Sequence, residues 1–224
     1  MRDRVAVARI ADADDRARAL EVLRATYREE KGWVGDEAEQ LPDSDLARGD
    51  VSWFVASVDH EPVGVLRVLY DPPLGLYADY GLQFIGQEID VEAFVRENKI
   101  AEIGRFAVVP DFRRHIIVVA ALMRAAVTET VAQGYTHYIT DVFEDDPHSP
   151  YNFHTRVLGF VPVATHEVGE LNCRSRRITL VLDLRACYER MRASGGWIFR
   201  YFTASWEPAL HRRLSGSPSH PLAQ

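Results

Sequence analysis

Residues Ile100 to Met123 read IAEIGRFAVVPDFRRHIIVVAALM, and the fold turns on how that stretch is parsed. Ile100, Ile103, Phe106, Ala107, Val108 and Val109 form an apolar run, which predicts a buried central strand with Glu102 and Arg105 embedded in it. Charged groups in such a strand need partners or a task. Pro110 ends the strand, and Asp111 is placed to N-cap a helix over Arg113–Gln133, where Ile116, Val119, Ala120, Met123, Val127 and Val131 recur at helical spacing. That parse puts Arg113, Arg114 and His115 in the first turn of the helix. A strand feeding a basic helix start is an anion-binding layout, because free backbone N–H groups and the helix dipole both favour phosphate there.

Downstream, Gly134 stops the helix and Tyr135–Val142 makes the next strand, a β-α-β crossover that predicts a parallel pair. Glu144, Asp145, Asp146 and His148 follow in a loop. Their spacing matches no metal motif, so a solvated turn is expected and no metal. Pro150–Leu158 reads as a helix closed by Gly159, and Phe160–Val168 with Arg176–Leu184 as an antiparallel pair. Upstream, Val5–Ile10 is a short strand, and Asp12 or Asp14 can cap a helix from Asp15 to Glu30, stopped by Gly32. Arg24 and Tyr27 are three residues apart and so should share a face of it. Gly35–Asp50 is polar and acidic, a loop that could act as a mobile lid. Val51–Val58 and Pro62–Tyr70 form a hairpin, with Arg67 midway along its second strand, placed to face solvent, pair with a carboxylate or meet a substrate. Asp71–Lys99, with Tyr77, Tyr80, Phe84, Phe94 and a short helix over Val91–Asn98, is long for a connection inside a domain, and such loops tend to shape binding sites.

The chain has 224 residues, 47% of them apolar, enough for one α/β domain (1–184) with a C-terminal extension (185–224). That extension holds a short helix (Ala186–Arg192), a Gly195-Gly196 break and an aromatic stretch (Trp197, Phe199, Tyr201, Phe202, Trp206) placed to pack on the domain or to form a homodimer; disorder is expected from Ser215 onward. Net charge is −7, with −9 in residues 1–100 (12 basic, 21 acidic) and +2 in 101–224 (14 basic, 12 acidic). This argues against nucleic-acid binding, while Arg113, Arg114, His115 and the Arg174, Arg176, Arg177 patch could meet an acidic partner. Cys173 and Cys187 fit no disulfide or metal framework, and no signal peptide or membrane span is evident. A cytoplasmic, soluble protein is the expectation.

The element order resembles that of the GNAT acyltransferase superfamily, which implies a central mixed sheet of about seven strands with flanking helices and a splayed parallel central pair. LRATYREEKGW (Leu23–Trp33), GVLRVLY (Gly64–Tyr70) and AEIGRFAV (Ala101–Val108) resemble, in order and spacing over residues 20–125, signatures of the acyl-homoserine-lactone (autoinducer) synthases and the related N-acyl amino acid synthases. PYNFHTRVLGF (Pro150–Phe160) adds a general GNAT likeness, so the resemblance reaches about residue 184. It implies an N-acyltransferase that moves a fatty acyl group from a thioester to the amine of an amino acid or related small molecule, with Arg24, Tyr27, Trp33 and Arg67 as substrate-binding residues. An autoinducer synthase proper would instead bind S-adenosylmethionine near Arg24, Tyr27 and Trp33, and a GNAT-like module without turnover is the third alternative.

Two departures stand out. Where GNAT enzymes carry a glycine-containing loop that lets backbone amides approach the coenzyme A pyrophosphate, this chain has Arg113-Arg114-His115-Ile116-Ile117-Val118, whose Cβ atoms crowd that approach. A donor on acyl carrier protein has a phosphopantetheine phosphate and no adenosine pyrophosphate, so the carrier protein is expected as partner, with acyl-CoA as the alternative and no permanently bound cofactor. In addition, Arg24 and Tyr27 are one residue closer than the synthases usually show.

Acyl transfer to an amine needs a base, donors for the tetrahedral oxyanion and a hold on the thioester. By the resemblance, Glu102 is the base, backbone N–H groups from Phe106 to Val108 serve the oxyanion or pantetheine, and Arg105 fixes an acceptor carboxylate or the donor phosphate. Val109, Arg113, Arg114 and His115 complete the donor site. Strand alternation sends residues 102 and 105 to opposite faces, so shared use demands a β-bulge, expected at Gly104. The bland alternative is that Glu102 and Arg105 pair with neighbours such as Arg67 or Arg24.

Overall fold

The computed structural model describes residues 4–75, 80–86, 88–169, 171, 173 and 175–215; Tyr77, Arg174 and the Ser/Pro-rich end from 216 lie outside them. The strands are β1 (Val5–Arg9), β2 (Val51–Val58), β3 (Glu61–Tyr70), β4 (Gln83–Phe84), β5 (Ile100–Val108), β6 (His137–Phe143), β7 (Val161–His166) and β8 (Arg177–Asp183). They form one sheet of eight strands in the order β1-β2-β3-β5-β6-β8-β7-β4, one more than the sequence suggested. The extra strand, β4, is two residues long and pairs with β7, too short to leave a period in the sequence.

The β2–β3 hairpin turns on Asp59 and His60, both with positive φ (48° and 73°), as a two-residue turn matched to strand twist requires. β5 and β6 are the parallel pair, and their pairing lasts for three rungs only: Ile100 with His137, Ala101 with Tyr138, Glu102 with Ile139. Beyond Glu102 the two strands part. On its other edge β5 carries an extra residue against β3. Val65 faces Ala107 and Arg67 faces Gly104, so β5 advances three residues while β3 advances two. The bulge is therefore at Arg105–Phe106, not at Gly104, and Arg105 itself takes the left-handed conformation at φ 49°, a strain of about 1–2 kcal/mol for a residue with a Cβ.

The helices are α1 (Ala13–Leu23), α2 (Val91–Glu97), α3 (Ile116–Ala132), α4 (Leu184–Ser194), α5 (Trp197–Thr203) and α6 (Pro208–Ser215). Asp12 caps α1 by accepting from the Asp15 N–H at 2.9 Å. The helix then widens into a π-helical stretch, Arg24–Glu30. Such a stretch turns less per residue than an α-helix, so residues three apart no longer align: Tyr27 is buried while Arg24 stays half exposed. The acidic segment after Gly32 forms two short 3₁₀ turns, Glu37–Gln40 and Asp43–Ala47. It is anchored, since Leu41 is fully buried and the Trp53 indole donates to Asp45 at 2.9 Å.

The helix after β5 starts at Ile116, three residues later than expected. A 3₁₀ turn, Pro110–Phe112, intervenes, and the Phe112, Arg113 and His115 N–H groups bond back to Val109, Pro110 and Phe112 at 3.0–3.3 Å. Asp111 thus belongs to the turn, and Arg113, Arg114 and His115 precede the helix instead of filling its first turn.

One face of the sheet packs on α3 and the C-terminal helices, through Phe54, Leu66, Tyr138, Leu180, Phe202 and Leu214 among others. The aromatic tail therefore covers its own domain: the Trp206 indole donates to Thr128 Oγ1 at 2.9 Å, and Arg124 lies 5.1 Å over the Tyr201 ring. The opposite face is covered in two patches, by α1 over Val51, Trp53, Val55 and Val65 and by the long connection over Ile100, Ile139 and Val181. Between them β5 and β6 part. No helix among the described residues is long and apolar enough to cross a membrane.

Candidate active site

A cavity of about 470 Å³ occupies the place where β5 and β6 separate. Glu102 stands at the last paired rung, and both Glu102 and Arg105 line the cavity. The Glu102 carboxylate is 16% exposed and accepts from Arg67 Nη2 at 2.6 Å. Gly104 lies between them for a steric reason: a Cβ there would sit 2.9 Å from Arg67 Nη2 and 3.0 Å from Glu102 Oε1. Gly104→Ala is therefore expected to displace the ion pair at a cost on the order of 1 kcal/mol of stability. Urea melts of the two proteins check this, and an unchanged stability would remove this account of Gly104.

Tyr27, Trp33 and Phe143 build an aromatic wall, with ring centroids 5.3 Å apart for Tyr27 and Trp33 and 4.3 Å for Trp33 and Phe143. Burial pushes the Tyr27 phenol up, against the pull of the Arg105 and Arg67 charges nearby. Lys31 packs over Trp33 at 4.6 Å and pairs with Asp146 at 2.7 Å, joining the end of the π-helical stretch to the loop after β6. Asp146, expected in a solvated turn, is thus nearly buried. Arg24 is elsewhere: it does not line the cavity and, with Arg28, binds Glu37, whose carboxyl these contacts hold down to about 2.

The residues expected at the donor side divide. The Val109 N–H is spent on Val63 O at 3.0 Å. Neighbouring N–H groups of a regular strand point to opposite sides, so over Ala107–Val109 the Val108 N–H turns away from β3, toward the gap. Arg113 reaches the Val108 carbonyl at 2.9 Å and clasps Glu30, with Nη1 2.6 Å from Oε1. Arg113 and Arg114 line the cavity; His115 does not, and packs on Phe112 with ring centroids 5.8 Å apart. Among the described residues no group of His, Cys, Asp and Glu side chains is arranged to hold a metal ion.

A sequence model of the N-acyl amino acid synthase FeeM family matches residues 19–172. The chain belongs to this family. The fold is shared with solved structures: that of FeeM, an N-acyl amino acid synthase from uncultured soil microbes, is 17% identical over 86% of this chain and 97% of its own, with a TM-score of 0.65. A protein assigned to the GNAT family from Desulfovibrio desulfuricans (16% identity, 80% and 98% covered, TM-score 0.56) and the ribosomal-protein-S18-alanine N-acetyltransferase of Escherichia coli (13%, 80% and 94%, 0.52) share the fold. No curated protein sequence matches the chain significantly. By its family the protein is an acyltransferase, and its fold is the one seen in GNAT acetyltransferases.

Two features of this FeeM-family chain went unread in the sequence. His154, 1% exposed, borders the cavity among Phe106, Phe153 and Phe160; burial holds its imidazole down to about 3, so it is neutral. Asp141, on β6, also lines the cavity and pairs with His166. Burial alone would push that imidazole down, but the Asp141 carboxylate and the Val168 carbonyl more than offset it and raise its pKa. A charge within a buried strand was the available signal for Asp141, the same one that singled out Glu102.

Proposed function

We propose that the enzyme transfers a fatty acyl group from the phosphopantetheine thioester of acyl carrier protein to the amine of an amino acid. The reading rests on Glu102 standing at the rung where β5 and β6 part, at the closed end of a slot that Phe106 and Val108 also line. Pantetheine lies in that slot. The thioester carbonyl meets the Phe106 and Val108 N–H groups, and Glu102 takes a proton from the amine, directly or through water. The C–N bond then forms, the oxyanion is held by those N–H groups, and the C–S bond breaks with its electron pair leaving on sulfur. Arg105 orients the acceptor carboxylate. Carrier protein is favoured over coenzyme A because Ile116 and Val118 occupy the positions where pyrophosphate needs glycine, and Arg114 at the mouth suits a single phosphate.

Mass spectrometry after incubation with acyl-carrier protein or acyl-CoA and mixed amino acids is expected to detect N-acyl amino acid, with the carrier-protein donor the better one. A lactone product would move the assignment to autoinducer synthesis, equal or better use of acyl-CoA would overturn the donor, and no product with either donor would overturn the function.

A further inference from the structure

Glu102 is not the only carboxylate facing the cavity. Glu102 pairs with Ile139 across the parallel strands, and residues two apart on a strand share a face, so Asp141 stands on the same face as Glu102, one strand over. Regular spacing puts their Cα atoms roughly 8 Å apart, about 4.8 Å across and about 6.6 Å along, before the strands diverge.

Asp141 has one hydrogen-bond donor and one ion-pair neighbour. Thr179 Oγ1 donates to Oδ1 at 2.8 Å, and His166 Nε2 lies 3.2 Å from Oδ2. The buried His166 ring stacks on Tyr80 with centroids 5.5 Å apart, and its Nδ1 lies 2.6 Å from the Val168 carbonyl. A ring whose two nitrogens both face oxygen atoms favours the imidazolium, which sets a positive charge beside the Asp141 side chain. A carboxylate offers about four lone-pair directions and these partners use two. The rest are open to the cavity, where the Asp141 side chain is 23% exposed.

An amino-acid acceptor enters at neutral pH as an ammonium ion, which has three N–H donors and must lose a proton before it can attack. We propose that Asp141 is the anchor for the acceptor's amino group, holding the ammonium between itself and Glu102 so that Glu102 receives the proton. The inference rests on the acyl-transfer reading above. In sum, ammonium and thioester become amide, thiol and one released proton: the C–N bond forms, the C–S bond breaks with its electron pair on sulfur, one N–H proton passes to Glu102 and on to solvent, and a second ends on the thiol.

Asp141→Asn is expected to raise KM for the acceptor by about 10–100-fold, the loss associated with one charge-assisted hydrogen bond, and to leave KM for the acyl donor unchanged. Calorimetric binding to the wild-type enzyme should show the amino acid preferred by a similar factor over its analogue with hydrogen in place of the amino group, and Asp141→Asn should erase that preference. Thr179→Val, which removes one hold and keeps the carboxylate, should give a smaller rise in acceptor KM. An unchanged acceptor KM in Asp141→Asn, a donor KM that rises with it, or equal binding of amino acid and analogue by the wild type would overturn the anchor. A wild type that acylates no amine would instead overturn the acyl-transfer reading.

Discussion

Glu102→Gln is expected to lower kcat for acyl transfer by roughly 10²–10⁴-fold, the range lost when a positioned general base is removed. The substitution keeps the shape of the side chain and an oxygen that Arg67 can still donate to, so the 2.6 Å contact is weakened without being emptied. Stability should fall by less than the roughly 3–5 kcal/mol seen when a buried charge loses its partner altogether. Those two effects are separable: donor and acceptor KM should change little, a urea melt should show a folded protein, and single-turnover rates should carry the loss. Retention of the full rate would remove Glu102 from the role of base and leave the Arg67 pair as a structural feature alone.

Acidification is expected to destabilise the protein strongly through His154. Its imidazole is held at about 3 in the folded state, against about 6.5 when unfolded. The folded state is thus the poorer proton binder between those two values, so stability rises with pH across that window and is lost as pH falls through it. The loss amounts to roughly 3–5 kcal/mol over the window. Glu37, held down to about 2, acts in the same direction at lower pH, so the His154 share must be isolated by comparison. His154→Phe should give a markedly flatter acid limb in urea melts between pH 7 and pH 4. At pH 7 it should cost little or even stabilise, because the buried His154 Nδ1, set among three phenylalanines, has no hydrogen-bond partner among the described residues. Identical pH slopes for the two proteins would contradict this account.

The parts of the fold visible in the sequence were those with a repeating period: the β2–β3 hairpin, the crossover from β5 to β6 and the closing β7–β8 pair. What escaped has a local, aperiodic cause. β4 is two residues held by a partner strand, and the start of α3 was decided by a 3₁₀ turn whose bonds no spacing rule reveals. At the site, the alternation of residues 102 and 105 demanded a bulge, but alternation does not say which residue takes it. Gly104 stays in register opposite Arg67, with no room for a Cβ beside the Arg67–Glu102 pair, and the irregularity falls at Arg105–Phe106. The π-helical stretch likewise separated Arg24 from Tyr27, since the width of a helical turn is a tertiary outcome.

The short pairing between β5 and β6 also bears on how the molecule holds together. Three rungs are all that join a four-stranded antiparallel half-sheet to another of the same size, and edge-to-edge hydrogen bonding alone would make that seam the weakest line in the protein. The helices behind it act as a splint. α3 contacts β1, β2, β3 and β5, the C-terminal helices lie along α3, and α4 continues directly from β8 of the other half. The C-terminal extension thereby braces the two half-sheets behind the open slot at the sheet's centre.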